Sequence, residues 1–133
     1  MGVQSTDDAV LEANKRGHTT LEVRQALHTL RQYGFKFSIH IMPGLYTATL
    51  DSDRQSFVDI FSDPSIKPDE LKFYPTAVIP NTELYELYRK GEYEALKTDD
   101  IKTLVKDVLL HIVPPYNRIK RLIRDIPATE IAA

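Results

Sequence analysis

Gln4 and Arg16 are the first side chains whose types suit ligand binding. Gln4 ends a short stretch that reads as the last residues of a β-strand, and Arg16 follows closely. An amide can bond ribose hydroxyls or a carboxylate, and a guanidinium can pair with a carboxylate through two hydrogen bonds. The alternative is a turn glutamine and a solvated arginine.

His40, Met42, Gly44 and Tyr74 lie in two later runs of β-branched and aromatic residues, each of which ends in a proline-containing loop. A histidine inside an apolar strand is more often a core residue than a catalyst. Met42 and Gly44 come at the strand end, where backbone exposed by a glycine can pack on an adenine ring. Tyr74 can stack on a base or support the rim of the fold. These strand ends are the favoured place for a ligand site.

The C-terminal tail is the strongest local candidate for RNA contact. It contains Tyr116, Arg118, Lys120, Arg121 and Arg124. Such cations can meet phosphates, and a tyrosine can stack on a base. The alternative is a solvated basic edge paired with acidic neighbours, and helix and strand both remain open for this tail.

Composition excludes several classes of site. The chain of 133 residues has a net charge of -2 and no cysteine. Disulfides, thiolate zinc sites and a cysteine-ligated iron–sulfur cluster are therefore excluded in this chain. His18, His28 and His111 show no metal-ligand spacing. The polar N-terminus and the lack of a long apolar run predict a cytoplasmic protein without a membrane segment.

Helical patterns separate the strand-like runs. The spacing predicts a helix over about 7–15, capped by Ser5 or Thr6. It predicts another over about 51–61, with a capping box from Ser52 to Gln55. Val58 and Phe61 are expected to face the core. Further helices are predicted after a capping box at Thr19–Glu22, over 83–90 and over 99–111.

Strands alternating with helices predict an α/β fold with parallel strands. Two full strands and a strand end make a small sheet with an open edge, so the chain is expected to be part of a (β/α) barrel. Residues 1–113 would form the C-terminal part of that barrel, and 114–133 a basic segment that follows it. The open edge makes self-association a further possibility.

Six segments carry a family resemblance: Gly2–Ser5, Asn14–Thr19, His40–Leu45, Leu71–Thr76, Thr82–Leu87 and Arg118–Pro127. Through them the chain resembles the catalytic subunit of Elongator. That family joins a radical S-adenosylmethionine barrel to an acetyltransferase domain and modifies the wobble uridine of tRNA toward a 5-carboxymethyl product. The first two segments are shared with other radical enzymes, whereas the tail is much more specific to this family.

The resemblance implies S-adenosylmethionine and a four-iron–four-sulfur cluster in the parent enzyme. Reductive cleavage of S-adenosylmethionine gives a radical that takes a hydrogen from acetyl-coenzyme A, and the carbon radical adds to C5 of uridine. The resemblance also strengthens two sets of sites. The cofactor contacts would be Gln4, Arg16, His40, Met42, Gly44 and Tyr74, and the RNA contacts would be Tyr116, Arg118, Lys120, Arg121 and Arg124. No catalytic residue or metal ligand is assigned to this chain.

Departures from the family pattern limit what the chain can do alone. The three-cysteine motif and the acetyltransferase domain are absent from it, and Tyr46-Thr47 stands where the family usually has Pro-Gly. We expect a fragment that supplies part of the cofactor wall and of the tRNA surface but is not catalytic alone. Its partners would be tRNA, the rest of the barrel and the acetyltransferase domain. The alternative is a non-catalytic RNA-binding or subunit-interaction module.

Overall fold

A single parallel sheet organises the protein. The computed structural model describes residues 1–133 and gives the sheet order β1-β2-β3-β4. All three strand pairs are parallel, which confirms the predicted α/β class and the partial barrel. The strands are β1 (Gly2–Gln4), β2 (Ser38–Ile41), β3 (Glu70–Phe73) and β4 (Arg118–Arg121).

Helices connect the strands and cover the sheet. They are α1 (Asp8–Ala13), α2 (Thr20–Gln32), α3 (Leu50–Ser62), α4 (Glu83–Lys90) and α5 (Thr98–Asp107). A π-helical turn, Val108–Ile112, extends α5, and a 3-10 turn follows at Ala128–Glu130. None of these helices combines the length and the apolar character that a membrane crossing requires.

The two faces of the sheet differ because successive strand residues point to opposite sides. One face supplies buried apolar side chains that pack on residues of α2, α3 and α5. Phe73 of β3 stacks on Phe57 of α3 with ring centroids 4.9 Å apart. The other face is polar and half-buried, and it includes His40 of β2 and Lys72 of β3.

Helix caps differ from the sequence expectation at two places. Asp7, not Ser5 or Thr6, caps α1 and accepts from the backbone of Ala9 and Val10. Ser5 and Thr6 instead contact α3: the Ser5 hydroxyl bonds that of Ser56, and Thr6 Oγ1 donates to Asp59 Oδ2 at 2.7 Å. The expected cap of α1 was wrong because these hydroxyls are engaged in a tertiary contact.

Helix α3 begins earlier than expected. Thr49 caps it in a capping box with Ser52, so the expected box from Ser52 to Gln55 was wrong. Phe57 and Ile60 are fully buried, whereas Val58 and Phe61 are only partly buried. The buried stripe therefore lies one residue before the expected one. The capping box of α2 at Thr19 and Glu22 is confirmed.

The basic tail adopts the strand alternative. β4 pairs with β3 through Arg118 beside Glu70 and Ile119 beside Leu71, and the register shifts after that pair. The sheet accordingly has four strands instead of two and a strand end. The proposed domain boundary after residue 113 stays a prediction, and residues 114–133 contribute both β4 and the segment beyond it.

Candidate cofactor cavity and basic edge

A cavity of about 440 Å³ lies at the carboxyl ends of the strands. Ligand cavities in proteins commonly enclose about 300–1,000 Å³. Five of the six predicted cofactor residues line it, because parallel strands end at the same edge of a sheet. The lining consists of Gln4, Arg16, His40, Met42, Tyr74, Pro75, Ala77, Ile79, Arg124 and Ile126.

A wider depression of about 690 Å³ lies beside α1 and the start of α2. Among the predicted site residues it contains only Arg16, and acidic side chains such as Glu12 and Glu22 line it as well. Because the wider depression lacks every strand-end residue, the smaller cavity is the better candidate for the cofactor site.

Gln4 lines the smaller cavity and carries an unpaired polar atom. Its side-chain oxygen Oε1 is buried and has no hydrogen-bond partner. Its backbone has a φ of 62°, which is uncommon for a residue other than glycine and which clusters at functional sites. The side chain folds back over Gly2, where a Cβ atom would collide with it. An unpaired buried amide oxygen fits a ligand hydroxyl that donates a hydrogen bond.

His40 and Tyr74 meet in the same cavity. Their ring centroids lie 5.4 Å apart in an edge-to-face arrangement. Partial burial and, second, the charge of Lys72 lower the pKa of His40. A neutral imidazole offers one donor and one acceptor nitrogen, so the pair presents aromatic and polar edges to a nucleoside.

Arg16 and Arg124 bring two guanidinium groups to this cavity, whose lining contains no Asp or Glu. Arg16 follows α1 between Lys15 and Gly17, which both have positive φ angles. This double turn brings the chain back so that the Arg16 amide donates to Leu11 O at 3.0 Å. Arg124 was predicted as an RNA contact, but its position in the cavity lining was not foreseen.

Gly44 lies outside the cavity, unlike the other predicted cofactor residues. It is buried, and Leu96 occupies the space that a Cβ atom would need. Its amide donates to Asp53 Oδ2 at 2.8 Å, and the Tyr93 hydroxyl donates to its carbonyl at 2.6 Å. The structure therefore shows Gly44 as a clamped loop residue instead of exposed backbone.

Asp53 and Tyr93 were missed by the sequence reasoning. Burial raises the pKa of Asp53 to about 6, although its bond with the Gly44 amide opposes the shift. Burial and then the nearby Asp53 raise the pKa of Tyr93 to about 12. The one signal in the sequence was the position of Asp53 in the first turn of α3. An acidic residue there is equally well explained by its favourable interaction with the helix dipole.

The predicted RNA contacts do not form one compact patch. Tyr116 is 58% exposed and lies toward the amino ends of the strands, whereas Arg124 reaches their carboxyl ends. Lys120 pairs with Glu70 at 2.9 Å. Arg118 and Arg121 are exposed and form no ion pair, so together they give the edge strand β4 a positive charge.

Comparisons with known proteins agree along the chain. The Radical_SAM C-terminal domain family model matches residues 68–133. The tRNA uridine(34) acetyltransferase of Methanocaldococcus jannaschii is 39% identical over 131 residues, covering 98% of this chain and 24% of that protein. Human Elongator complex protein 3 is 41% identical over 127 residues, covering 96% of this chain and 23% of that protein.

A solved structure extends this agreement to the fold. Elp3 of Methanocaldococcus infernus, with residues 1–46 deleted, matches with a TM-score of 0.90 and 38% identity. The match covers 98% of this chain and 30% of that one. This chain is a relative of the Elongator catalytic subunit. It spans about a quarter of the length of the curated relatives it matches.

The loop after β2 contains Tyr46-Thr47, where the resemblance led us to expect Pro-Gly. Tyr46 donates its amide to Asn14 Oδ1 at 3.2 Å and accepts from Asn14 Nδ2 at 2.9 Å. A proline could not donate that bond. Thr47 has a φ of 68°, which a glycine adopts without strain. Tyr46 thus gains a backbone hydrogen bond, whereas Thr47 introduces backbone strain.

The residues present do not fit the iron–sulfur cluster of the Elongator family. The chain has no cysteine, and no group of three His, Asp or Glu side chains is placed to hold a metal ion. They do fit part of a nucleoside cofactor, because the cavity is lined by Gln4, whose buried amide oxygen is unpaired, by an aromatic pair and by two arginines.

Proposed function

We propose that this chain is a segment of a tRNA-modifying enzyme that forms 5-carboxymethyluridine at the wobble position, using S-adenosylmethionine and acetyl-coenzyme A. In this proposal the strand-end cavity forms part of the wall around S-adenosylmethionine. One observation carries the proposal: residues from five separate segments converge on a single cavity at the carboxyl edge of a parallel sheet. The name of one similar protein, tRNA uridine(34) acetyltransferase, supports tRNA uridine as the substrate.

Five of the ten cavity residues then have a role in binding. Gln4 Oε1 would accept from a ribose hydroxyl, which would satisfy its unpaired oxygen. Arg16 would pair with the carboxylate of the methionine part. Met42, Tyr74 and the neutral ring of His40 would pack around the adenine. S-adenosylmethionine supplies radical chemistry when bound, and the role of this chain is to hold and orient it.

RNA contact is assigned to the edge strand. Arg118 and Arg121 are exposed cations that form no ion pair, although Arg118 lies beside Glu70, and phosphates are the groups that such cations bind. Tyr116, at the far end of the same segment, is exposed enough to stack on a base. This basic edge also favours the second candidate, a module that binds RNA or a subunit without any cofactor.

Calorimetry with S-adenosylhomocysteine tests the cofactor wall without the cluster. We expect Gln4→Asn to weaken binding by about tenfold, since the shorter amide loses one hydrogen bond to the ribose. Gln25→Asn, on the exposed side of α2, is the control and should bind as the parent does. Thermal melting of both variants checks the fold. Absence of binding, or equal affinity in all three proteins, would contradict the cofactor wall.

Binding of tRNA over a range of salt concentrations tests the basic edge. The double variant Arg118→Glu with Arg121→Glu should weaken binding and flatten its salt dependence. Arg89→Glu with Lys90→Glu, in the last turn of α4, is the charge-matched control. An unchanged salt slope in the β4 variant would remove the RNA assignment. Binding of tRNA without binding of S-adenosylhomocysteine would favour the non-catalytic module.

A further inference from the structure

The strand-end cavity has a charge imbalance. Arg16 and Arg124 both line it, and no Asp or Glu does. Neither guanidinium pairs with a carboxylate elsewhere, since the ion pairs of the chain involve other residues. Arg16 and Arg124 are both exposed side chains, and two like charges that line one cavity repel each other, so a bound anion would relieve that repulsion.

Arg124 is held at the cavity by the tail that carries it. Ile126, two residues further on, also lines the cavity. Beyond it, Ala132 N donates to Val78 O and Val78 N donates to Ala133 O, both at 2.8 Å. Val78 is fully buried in the segment after β3. The tail therefore leaves β4, passes along the cavity and pairs with the backbone on its far side.

The two arginines reach the cavity from opposite parts of the chain. Arg16 follows α1 near the N-terminus, and Arg124 follows β4 near the C-terminus. A guanidinium offers a planar pair of donors that matches the oxygens of a carboxylate or a phosphate. Arg118 and Arg121, by contrast, do not line the cavity.

We propose that the cavity binds an oxyanion, a carboxylate or a phosphate, between Arg16 and Arg124. The inference rests on the proposed function for the identity of the cavity as a nucleoside site, and it adds Arg124 as a second ligand contact. The tail then forms a wall of the cavity as well as part of the RNA-binding segment.

Titration with inorganic phosphate tests the oxyanion site directly. The guanidinium Nε–Hε resonances of Arg16 and Arg124 should shift together with one dissociation constant. Those of Arg118 and Arg121 should not share that constant. Arg124→Gln should abolish the shift of Arg16 or weaken its phosphate affinity by about tenfold, the scale of one charge-assisted hydrogen-bonded contact. Independent titration of the two arginines, or no shift of Arg124, would overturn the proposal.

Nucleosides distinguish the two sources of the oxyanion. S-adenosylhomocysteine carries a carboxylate that 5′-methylthioadenosine lacks, and adenosine 5′-monophosphate carries a phosphate that adenosine lacks. At least one charged member should bind about tenfold more tightly than its neutral partner, and the pair with the larger difference identifies the source. Arg124→Gln should remove the difference without changing the affinity of the neutral ligand, and the control Arg89→Gln, in the last turn of α4, should change neither.

The outcomes separate this inference from the proposed function. If both arginines respond to phosphate but no nucleoside binds, the oxyanion site stands and the cofactor wall fails. If S-adenosylhomocysteine and 5′-methylthioadenosine bind equally well, and adenosine 5′-monophosphate gains nothing over adenosine, the nucleoside part of the cofactor wall stands. The oxyanion site then fails, together with the role of Arg16 in binding the methionine carboxylate.

Discussion

The two faces of the parallel sheet have opposite characters within the same short strands. In β2, Ile39 and Ile41 are buried against the helices, whereas His40 between them faces the polar side. In β3, Phe73 packs on α3, and Lys72 lies next to His40 on the polar face. The alternation of a single strand thus separates residues that hold the fold from residues available to a ligand. Substitutions on the two faces should therefore change different measurements.

The covered face should give the largest loss of stability. Phe57 is fully buried and stacks on Phe73. We expect Phe57→Ala to lower the free energy of unfolding by about 3–5 kcal/mol, because it removes buried apolar area and leaves a cavity. Urea denaturation measures the change. Phe35→Ala, at a side chain that is 62% exposed, is the matched control and should cost far less. Equal losses would contradict the assignment of the core face.

The hydrogen bonds of Asp53 and Tyr93 to Gly44 form a clamp on the loop after β2. A substitution in this clamp should give a pH-dependent change in stability of intermediate size. Burial raises the pKa of Asp53 from 3.8 to about 6. The folded protein therefore favours the protonated carboxyl, and the contribution of Asp53 to folding stability is complete below about pH 4 and is lost as pH rises through 6. Asp53→Asn keeps an oxygen that can accept from Gly44 and cannot ionise. The variant should be more stable than the parent by about 2 kcal/mol at pH 7, and the difference should shrink toward pH 4.

Unfolding free energies measured from pH 4 to pH 8 check this expectation. Asp51→Asn, in the same helical turn but exposed, is the control and should show no such dependence. An Asp53→Asn variant that is less stable than the parent at pH 7 would show that the charged carboxylate strengthens the clamp.

Thr47 should give a smaller effect of opposite sign to the core substitution. Its φ of 68° strains a residue with a side chain. We expect Thr47→Gly to stabilise the protein by about 0.5–1 kcal/mol. Gly44→Ala is the opposite test, since Gly44 also has a positive φ and Leu96 fills the space beside it. Denaturant midpoints measure both changes, and a gain on Gly44→Ala would contradict the described loop.

Lys72 on the polar face should give the smallest change in stability. We expect Lys72→Gln to alter the unfolding free energy by about 0.5 kcal/mol or less, as is usual for polar surface positions. It should also raise the pKa of His40 toward 6.5, because the charge of Lys72 contributes to lowering it. An NMR titration of the imidazole measures this shift, with Lys102→Gln on α5 as the control. An unchanged His40 pKa would show that Lys72 does not contribute and that burial and the N-terminal ammonium account for the lowering.

Local sequence signals predicted the fold class and much of the cavity. The isoleucines around His40 gave the strand and its alternation, and the Pro-Gly stop placed Met42 at the strand end. Contacts between distant segments were not predictable in this way. Asp53 and Tyr93 meet at Gly44 only after α3 and the segment after α4 have packed on the loop. Arg124 reaches the cavity because β4, which precedes it, pairs beside β3, whereas the sequence left helix and strand both open for this tail.

Chemical-shift mapping with S-adenosylhomocysteine tests most directly whether the polar face is the ligand-binding face. Amide and side-chain resonances of Gln4, His40 and Tyr74 should shift with one dissociation constant. Those of Phe57 and Ile60, on the covered side, should stay unchanged at saturation. Shifts centred on the helices, or no shift at Gln4, His40 and Tyr74, would contradict the assignment of the strand-end cavity as the binding site.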